Sequence, residues 1–316
     1  MKGILKIIYN FICKIIIKLL PLLRILRLQT LVIDHLSKIR LGSNKYGSIQ
    51  KVISELPLKR KLIALDAGAQ GGFNGENFFL KKYEKFFDPI LVEPITSEAE
   101  RLKKKYTNVI DKALWNTNCT KKLYITDKNP AGASMYKPWK EGFDLYHPYG
   151  NYFRQYDITS EVDVECTTIK DSLDNLNIKE LDYLKIDTQG SEYEILKGIG
   201  NYFPLLMKIE IQIFTMYKDM PNWTEILNYI YKLDYMLCSW EKLGGHTTQS
   251  PVEMDMFFVP NFLTEKGKKL ILSRENEFCF LMLIFGQVRL LQLISKELEF
   301  KLNTSISKIR DKFFDL

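Results

Sequence analysis

The chain has 316 residues, of which 46% are hydrophobic and 26% are charged, and this composition excludes wholesale disorder. The net charge is +7, yet residues 1–50 alone carry nine Lys or Arg against one acid, so the rest of the chain is close to neutral. Nucleic-acid enzymes usually carry basic charge around the catalytic face, so a near-neutral body disfavours that class.

Cysteine and histidine usage limits the other classes of site. The five cysteines are odd in number, and no two have CxxC spacing, which argues against a disulfide framework or a structural zinc site. Only three histidines are present, so we expect no metal site. A reducing, cytoplasmic compartment fits these residues best.

The first 27 residues predict a basic amphipathic helix. Residues 3–26 are strongly apolar, and their polar positions recur every fourth residue, which places one slanted polar stripe on a helix: Lys2, Lys6, Asn10, Lys14 and Lys18. Two interpretations are open. The helix lies on the inner face of an anionic membrane with its lysines at headgroup level, or it packs against protein.

An alternation of strands and helices begins near Lys61. Short apolar runs predict five strands at 61–66, 89–93, 109–111, 181–187 and 206–214. Helices are predicted at 97–106, where Ser97 and Glu100 form a capping box, and at 168–176, 192–202 and 224–233. Further strands are predicted at 121–126 and 162–168, and an antiparallel final pair at 235–240 and 254–259.

This order of elements predicts an α/β Rossmann-like domain over residues 50–262. Its sheet is expected to be mostly parallel, with an antiparallel final strand and helices on both faces. Residues 1–49 form an N-terminal extension, and residues 263–316 form a helical C-terminal extension. The run Phe278–Phe285 in that extension is fully apolar but too short to span a bilayer, so we expect it to pack beside the N-terminal helix or share its membrane contact.

The segment from Asp66 to Gly72 (DAGAQGG) has the form of a nucleotide-cofactor loop. A strand ends in an acid, and a glycine turn follows, where the backbone can approach a ligand closely. The glycines do not follow the GxGxxG order of a dinucleotide turn. Glu93 ends the second strand, and a carboxylate there can accept hydrogen bonds from ribose hydroxyls. A solvated acid at a strand end is the structural alternative.

A second strand-end acid, Asp187, opens the segment DTQGSE. We expect Asp187 to reach the same crevice as Asp66 and Glu93, since the carboxyl ends of parallel strands meet at one sheet edge. Glu192 falls in the first turn of the following helix, where the helix dipole favours a negative charge. The alternative to a role in the crevice is that Glu192 simply caps this helix.

Taken in order, DAGAQGG, LVEP, DKAL, LKIDTQGSEYEILKG and IEIQ resemble the FkbM family of S-adenosylmethionine-dependent methyltransferases, over roughly residues 50–260. The resemblance implies a class I methyltransferase fold, S-adenosyl-L-methionine as cofactor, and mostly O-methylation of sugar, glycolipid or natural-product hydroxyls. It also implies cofactor-binding roles for Asp66, Gly68, Gln70, Gly72, Glu93, Asp111 and Ala113. The family commonly has Asn where Gln70 stands and Ser where Gly75 stands.

Three residues are candidates for a general base that takes the acceptor proton: Asp187, Glu210 and His246. A structural carboxylate at the sheet end is the alternative for Glu210, and a residue of a substrate loop is the alternative for His246. The aromatic-rich stretch Met135–Tyr156 is expected to be either a lid over the acceptor or a packed insertion. Two other functions remain open at this stage. One is a catalytically silent, membrane-associated interaction module with the same fold, and the other is an NAD-dependent oxidoreductase. We expect a small-molecule or glycan partner and no nucleic acid.

Overall fold

A computed structural model describes residues 47–75, 80–146, 152–243 and 252–309 of the chain. Residues 1–50 form one compact unit and residues 51–316 form another. The predicted amphipathic helix at 3–26 lies outside the described residues. The predicted domain boundaries stay a prediction.

The strands of the described residues are β1 (Leu62–Ala67), β2 (Phe87–Val92), β3 (Asn108–Ile110), β4 (Ala113–Leu114), β5 (Cys119–Ile125), β6 (Ser160–Thr167), β7 (Tyr183–Ile186), β8 (Leu206–Gln212), β9 (Tyr235–Leu243) and β10 (Glu253–Pro260). The α-helices there are α1 (Gly47–Glu55), α2 (Thr96–Lys103), α3 (Lys140–Tyr146), α4 (Ile169–Asn175), α5 (Glu192–Lys197), α6 (Trp223–Lys232), α7 (Glu265–Ser273), α8 (Glu275–Ile284), α9 (Val288–Glu297) and α10 (Asn303–Ser307). Short 3₁₀ helices lie at Lys81–Phe86, Pro130–Gly132 and Tyr152–Tyr156.

Seven strands form one sheet in the order β3-β2-β1-β7-β8-β10-β9. The first five are parallel, and β10 runs antiparallel to both β8 and β9. The strand order reverses direction beside β1, where β2 lies on one side and β7 on the other. In open α/β sheets such a switch point is where ligands bind, outside the carboxyl ends of the strands. This is the predicted class I methyltransferase architecture, including its antiparallel strand.

The predicted strands at 121–126 and 162–168 are confirmed as β5 and β6, but they belong to a second sheet. That sheet has the order β4-β6-β5, with β6 antiparallel to β5 and parallel to β4. The two-residue strand β4 follows β3 after only two residues. The chain thus leaves the main sheet at Asp111 and returns to it at β7.

The capping-box prediction at Ser97 and Glu100 is wrong. Helix α2 begins at Thr96, so Ser97 lies inside its first turn and the cap position falls to Ile95, which has no side-chain acceptor. A backbone contact replaces the cap, since the Ile95 amide donates to the Glu93 carboxylate at 2.9 Å. The helix also ends at Lys103, three residues before the predicted end.

The alternation of side chains along β7, β8 and β10 divides the sheet into two different faces. One face is apolar and carries Leu184, Ile186, Ile209 and Met256 into the core beneath α5 and α6. The opposite face includes register pairs of charged residues, among them Asp66↔Lys185, Lys185↔Lys208 and Asp255↔Glu210. A sheet buried on both faces normally reads as a continuous apolar run, so these charges are the unusual feature of this one.

The N-terminal helix lies outside the described residues, so the expected contact of Phe278–Phe285 with that helix or with a membrane stays a prediction. Residues 278–284, in α8, are all buried. The Phe280 ring lies 5.9 Å from Phe87 on β2, and the Phe285 ring lies 5.1 Å from Tyr183 on β7. The C-terminal helices therefore complete the core of the main sheet.

A buried ion pair fixes the start of α8 to the sheet. The Arg274 guanidinium, 8% exposed, donates to Asp182 at 3.0 Å and to the carbonyl oxygens of Leu181 and Phe203. Asp182 is fully buried and also accepts from Arg60 at 2.6 Å. No helix in the described part of the chain is long and apolar enough to cross a membrane.

Candidate active site

Asp66 lies beneath the glycine loop and holds its shape. The side chain is fully buried, and one carboxylate oxygen accepts the Asn74 amide at 2.6 Å, which closes the loop between them. The other oxygen lies 3.2 Å from the Lys185 ammonium. Burial raises the pKa of Asp66, and Lys185 opposes that shift. Because both oxygens are engaged from within the protein, Asp66 shapes the loop from below.

Gly68 makes the closest backbone approach in the loop. Its φ is +80°, and a Cβ placed on it would lie 1.9 Å from the Asp187 carbonyl oxygen. Gly72 has a φ of +116°, and its Cβ would lie 3.0 Å from the Tyr106 hydroxyl. Conformation favours glycine at both positions, and at Gly68 the contact with a backbone atom also leaves no space for a side chain. Gly71 has a φ of +86° with nothing within 4 Å of its Cβ position, so its surroundings are open.

Glu93 follows the last residue of β2 and is 4% exposed. Its Oε1 accepts the Ile95 amide at 2.9 Å, and among the described residues this is the one hydrogen bond its side chain makes. Burial raises the pKa of Glu93 to about 7, and Glu98 and Asp66 add to that shift. A buried carboxyl with acceptor capacity to spare is suited to binding hydroxyl groups.

Lys185 is the cation that joins the two acidic strand ends. Its ammonium lies 3.2 Å from Asp66 and 3.3 Å from Asp187, and the residue is 6% exposed. The charges of Asp66 and Asp187 raise the pKa of Lys185 against the effect of burial. The ammonium therefore stays charged, and it sets the separation of the two carboxylates at the crevice floor.

Glu192 organises the turn after β7 rather than entering the crevice. One carboxylate oxygen accepts from the Thr188 amide and hydroxyl, both at 3.0 Å, and from the Gly190 amide at 3.2 Å. These donors lie in the turn before helix α5, whose N-cap residue is Ser191, so the carboxylate holds that turn rather than capping the helix. Its three bonds fix the path of the chain between Asp187 and helix α5.

Gln189 sits at the centre of that turn with a φ of +57°. This left-handed conformation is uncommon for a residue with a side chain. The Ser134 hydroxyl donates to the Gln189 carbonyl at 2.6 Å, and the Tyr217 hydroxyl donates to its side-chain oxygen at 3.0 Å. The side-chain amide donates to Glu210 at 2.6 Å. Gln189 therefore directs the Glu210 carboxylate.

Glu210 on β8 lies beside Asp187 just after the end of β7, and its role as a base stays a prediction. Desolvation, together with Asp187 and the nearby Glu253, raises the pKa of Glu210 well above its ordinary value of 4.5. Raised proton affinity of this kind makes a carboxylate a stronger base once it is ionised. Asp187 is partly exposed, with about a third of its side chain accessible.

The other three predicted cofactor residues are not among these buried acids, and their cofactor roles stay predictions. The Asp111 side chain is exposed and pairs with Lys103 at 2.9 Å, so its carboxylate does not join Asp66 and Glu93. Ala113 is buried in the small sheet, in register with Cys166. Gln70 lies partly exposed in the glycine loop.

His246 lies outside the described residues, so the third candidate base stays a prediction. The described part of the aromatic stretch is packed rather than open. The Phe143 ring lies 4.2 Å from Tyr156 and 5.9 Å from Tyr217, and Phe143 is fully buried. These contacts favour the packed-insertion interpretation over a lid for that part of the segment.

Gln189, Gln212 and Glu253 were missed as site residues by the sequence analysis. Gln189 stands within the DTQG motif, which was available as a signal. Glu253 begins β10, and because that strand is antiparallel, its first residue lies level with Gln212 at the end of β8. A search for acids at the ends of strands cannot find an acid at the start of an antiparallel one. The described residues contain no group of three or more His, Cys, Asp or Glu that could hold a metal ion.

Comparison with known proteins identifies the family. The family model described as methyltransferase FkbM domain matches residues 66–237, more than half of the chain. The chain belongs to the FkbM methyltransferase family, whose methyl donor is S-adenosylmethionine. No curated protein sequence matches the chain.

One solved structure with a similar chain is the Burkholderia thailandensis 1,6-didemethyltoxoflavin-N1-methyltransferase, with bound 1,6-didemethyltoxoflavin and S-adenosylhomocysteine. It is 11% identical, and the alignment covers 73% of the present chain and 87% of that chain at a TM-score of 0.29. A similarity this distant carries no inference about the acceptor of the present protein.

Proposed function

We propose that the protein transfers a methyl group from S-adenosylmethionine to a hydroxyl oxygen of a sugar, glycolipid or natural product. The observation that carries this proposal is the arrangement at the switch point of the sheet. A glycine loop, open at Gly71, lies between the buried carboxyl of Glu93 and a carboxylate pair, Asp187 and Glu210, and burial raises the pKa of Glu210.

The residues present fit the proposed cofactor. Glu93 offers a buried acceptor to the two ribose hydroxyls, and open space at Gly71 lets a ligand approach the loop backbone. Bound S-adenosylmethionine supplies an activated methyl group on a sulfonium. Asp66 and Lys185 maintain the shape of the floor, and neither of them needs to contact the ligand.

On the acceptor side, Glu210 takes the proton. The acceptor oxygen forms a bond to the methyl carbon, the sulfur–carbon bond breaks with its electron pair left on sulfur, and the hydroxyl proton passes to the Glu210 carboxylate. Gln189 orients that carboxylate through its 2.6 Å hydrogen bond. General-base assistance of this kind contributes about 10²–10⁴-fold to a rate. Alignment of the acceptor supplies much of the remainder.

The test uses the full chain, S-adenosylmethionine carrying a ¹³C-labelled methyl group, and a panel of hydroxyl, amine and thiol acceptors. The chemical shift of the transferred carbon distinguishes O-methyl from N-methyl and S-methyl products. Transfer to hydroxyls supports the proposal. Transfer confined to amines or thiols contradicts it, and a folded protein that binds no S-adenosylmethionine would instead be a silent interaction module.

We further propose that residues 1–27 bring the protein to an anionic membrane surface, where a glycolipid acceptor would lie. The support is the recurring lysine stripe in an otherwise apolar sequence. Flotation with vesicles containing anionic lipid tests it. Recovery of the full chain with the vesicles supports the proposal, and equal recovery of a chain lacking residues 1–41 contradicts it.

A further inference from the structure

A group of acceptor atoms lies next to Glu210 on the charged face of the sheet. In the antiparallel pair of β8 and β10, Gln212 is opposite Glu253 and Glu210 is opposite Asp255. Glu210 and Glu253 are thus diagonal neighbours, about 7–8 Å apart at the backbone. We call Glu210, Gln212 and Glu253 the acceptor triad.

Cations in this region are already paired with other acids. Lys208 pairs with Asp255 at 2.7 Å, and Lys185 lies between Asp66 and Asp187. Among the described residues, no Lys, Arg or His lies within ion-pair distance of Glu210 or Glu253. No cation in the described part of the chain therefore offsets the negative charge that the triad carries once its acids ionise.

Gln212 provides an independent indication that a ligand belongs there. It is 3% exposed, and its Nε2 donates to the Gln189 side-chain oxygen at 3.4 Å. Its Oε1 is buried and has no hydrogen-bond partner in the described part of the chain. Leaving a buried polar atom without a hydrogen-bond partner costs about 1–3 kcal/mol of folding free energy. Such an atom in a native protein therefore suggests that a bound molecule donates a hydrogen bond to it.

We infer that the acceptor triad binds the hydroxyl groups of a neutral polyol, with Gln212 and Glu253 accepting from the hydroxyl adjacent to the one that Glu210 deprotonates. This inference rests on the proposed function and narrows its substrate class. Every free atom of the triad is an acceptor when the acids are ionised, so the ligand must donate. A carboxylate or phosphate on that part of the acceptor would meet like charge at close range and be rejected.

Burial and the neighbouring acids raise the pKa of Glu253 to about 7. Near neutral pH both the protonated and the ionised form of Glu253 are populated. The protonated form can donate to a hydroxyl oxygen, and the ionised form accepts from a hydroxyl group. Vicinal hydroxyls both donate and accept, which matches this behaviour better than the donor-only ammonium of an amine does.

The test uses a panel of acceptor pairs in which one member is neutral and the other carries one carboxylate. Methyl glucoside and methyl glucuronide are one such pair. Methyl transfer from labelled S-adenosylmethionine is followed for the full chain and for Glu253→Gln. We expect the neutral member to react at least about tenfold faster, because like charges at this distance repel strongly in a partly buried site. Glu253→Gln should bring the two rates within about threefold of each other.

The exposed Asp163→Asn on β6 is the control and should leave the preference unchanged. Equal or faster transfer to the acidic members, or an unchanged preference in Glu253→Gln, overturns the inference and leaves O-methylation standing. Transfer only to amines overturns the proposed function as well. A protein that binds S-adenosylhomocysteine but methylates no member of the panel counts against both.

Discussion

The Cβ position of Gly68 lies 1.9 Å from the carbonyl oxygen of Asp187, so the glycine loop after β1 and the acidic turn after β7 are in direct backbone contact. These two of the five segments that carry the family resemblance are therefore one structural unit. Neither can change its backbone path without displacing the other.

Substitution of Gly68 by alanine should disrupt this unit. The new Cβ would meet a backbone atom, and relief requires movement of β7 or the loop. We expect Gly68→Ala to lower the free energy of unfolding by several kcal/mol. The control is Gly71→Ala, which has the same sign of φ but open space, and should cost only about 1–2 kcal/mol. Urea unfolding of both variants measures the difference, and equal costs would contradict the close-contact argument.

The buried Glu93 carboxyl should make stability depend on pH in a specific direction. Its pKa is raised from 4.5 to about 7, so between these values the folded protein binds a proton more tightly than the unfolded chain. This contribution to stability is present at low pH and is lost as pH rises through 7. Glu93→Gln removes it, so the stability of the variant relative to the parent should rise by about 2–3 kcal/mol between pH 5 and pH 8.

Thermal or urea unfolding at both pH values checks this prediction. The exposed Glu100→Gln on α2 is the control and should give no such difference. A Glu93→Gln variant whose relative stability stays constant with pH would show that the carboxyl is ionised at little cost in the folded protein.

The ion pair at the start of α8 should make the C-terminal helices part of the fold. Asp182→Ala leaves the buried Arg274 guanidinium without its carboxylate, and we expect a loss of about 3–5 kcal/mol. Asp182 also pairs with Arg60, and Arg60 has a second partner in Glu180, whose side chain is half exposed. Glu180→Ala should therefore lower the free energy of unfolding by less than about 1 kcal/mol. Similar losses for both variants, measured by urea unfolding, would argue against a special role for the buried pair.

Gln189 should act on the rate through Glu210. Its amide donates to the ionised carboxylate, so Gln189→Gly should raise the pKa of Glu210 and move the acidic limb of the pH–rate profile to higher pH. The glycine also tolerates the positive φ. Asn177→Gly, at another residue with positive φ, controls for backbone relief alone. If the maximal rate of Gln189→Gly falls while the acidic limb of its pH–rate profile stays at the same pH, the role of Gln189 is structural only.

Much of the fold could be predicted because its elements have strong local signals. The runs ending at Asp66, Glu93 and Asp187 are apolar and bounded by turn residues, and each is confirmed as a strand of the main sheet. The Ser97 capping box failed because the sequence pattern does not show that Glu93 already supplies an acceptor to Ile95. The separate small sheet depends on long-range pairing that no local pattern contains.

Candidate site residues could be predicted where they stand at the end of a parallel strand. They could not be predicted where their role depends on contacts with residues that are distant in the sequence. Lys185 stands within the LKIDTQG motif, but the motif does not show which acids it pairs with. One partner, Asp66, is 119 residues away along the chain. Asp111 is an acid near a strand end like Glu93, yet it turns outward to Lys103. Which way such a side chain points depends on the packing of α2, which the motif does not specify.

The most direct measurement is a calorimetric titration of the full chain with S-adenosylhomocysteine at pH 8, where Glu93 is ionised, beside the Glu93→Gln and Glu100→Gln variants. Our account predicts one site per chain in the parent and in Glu100→Gln. It predicts affinity at least about tenfold weaker in Glu93→Gln, since hydrogen bonds to a charged group are worth about 1.5–3 kcal/mol. Unchanged affinity in a folded Glu93→Gln protein, or no binding by the parent, would contradict it.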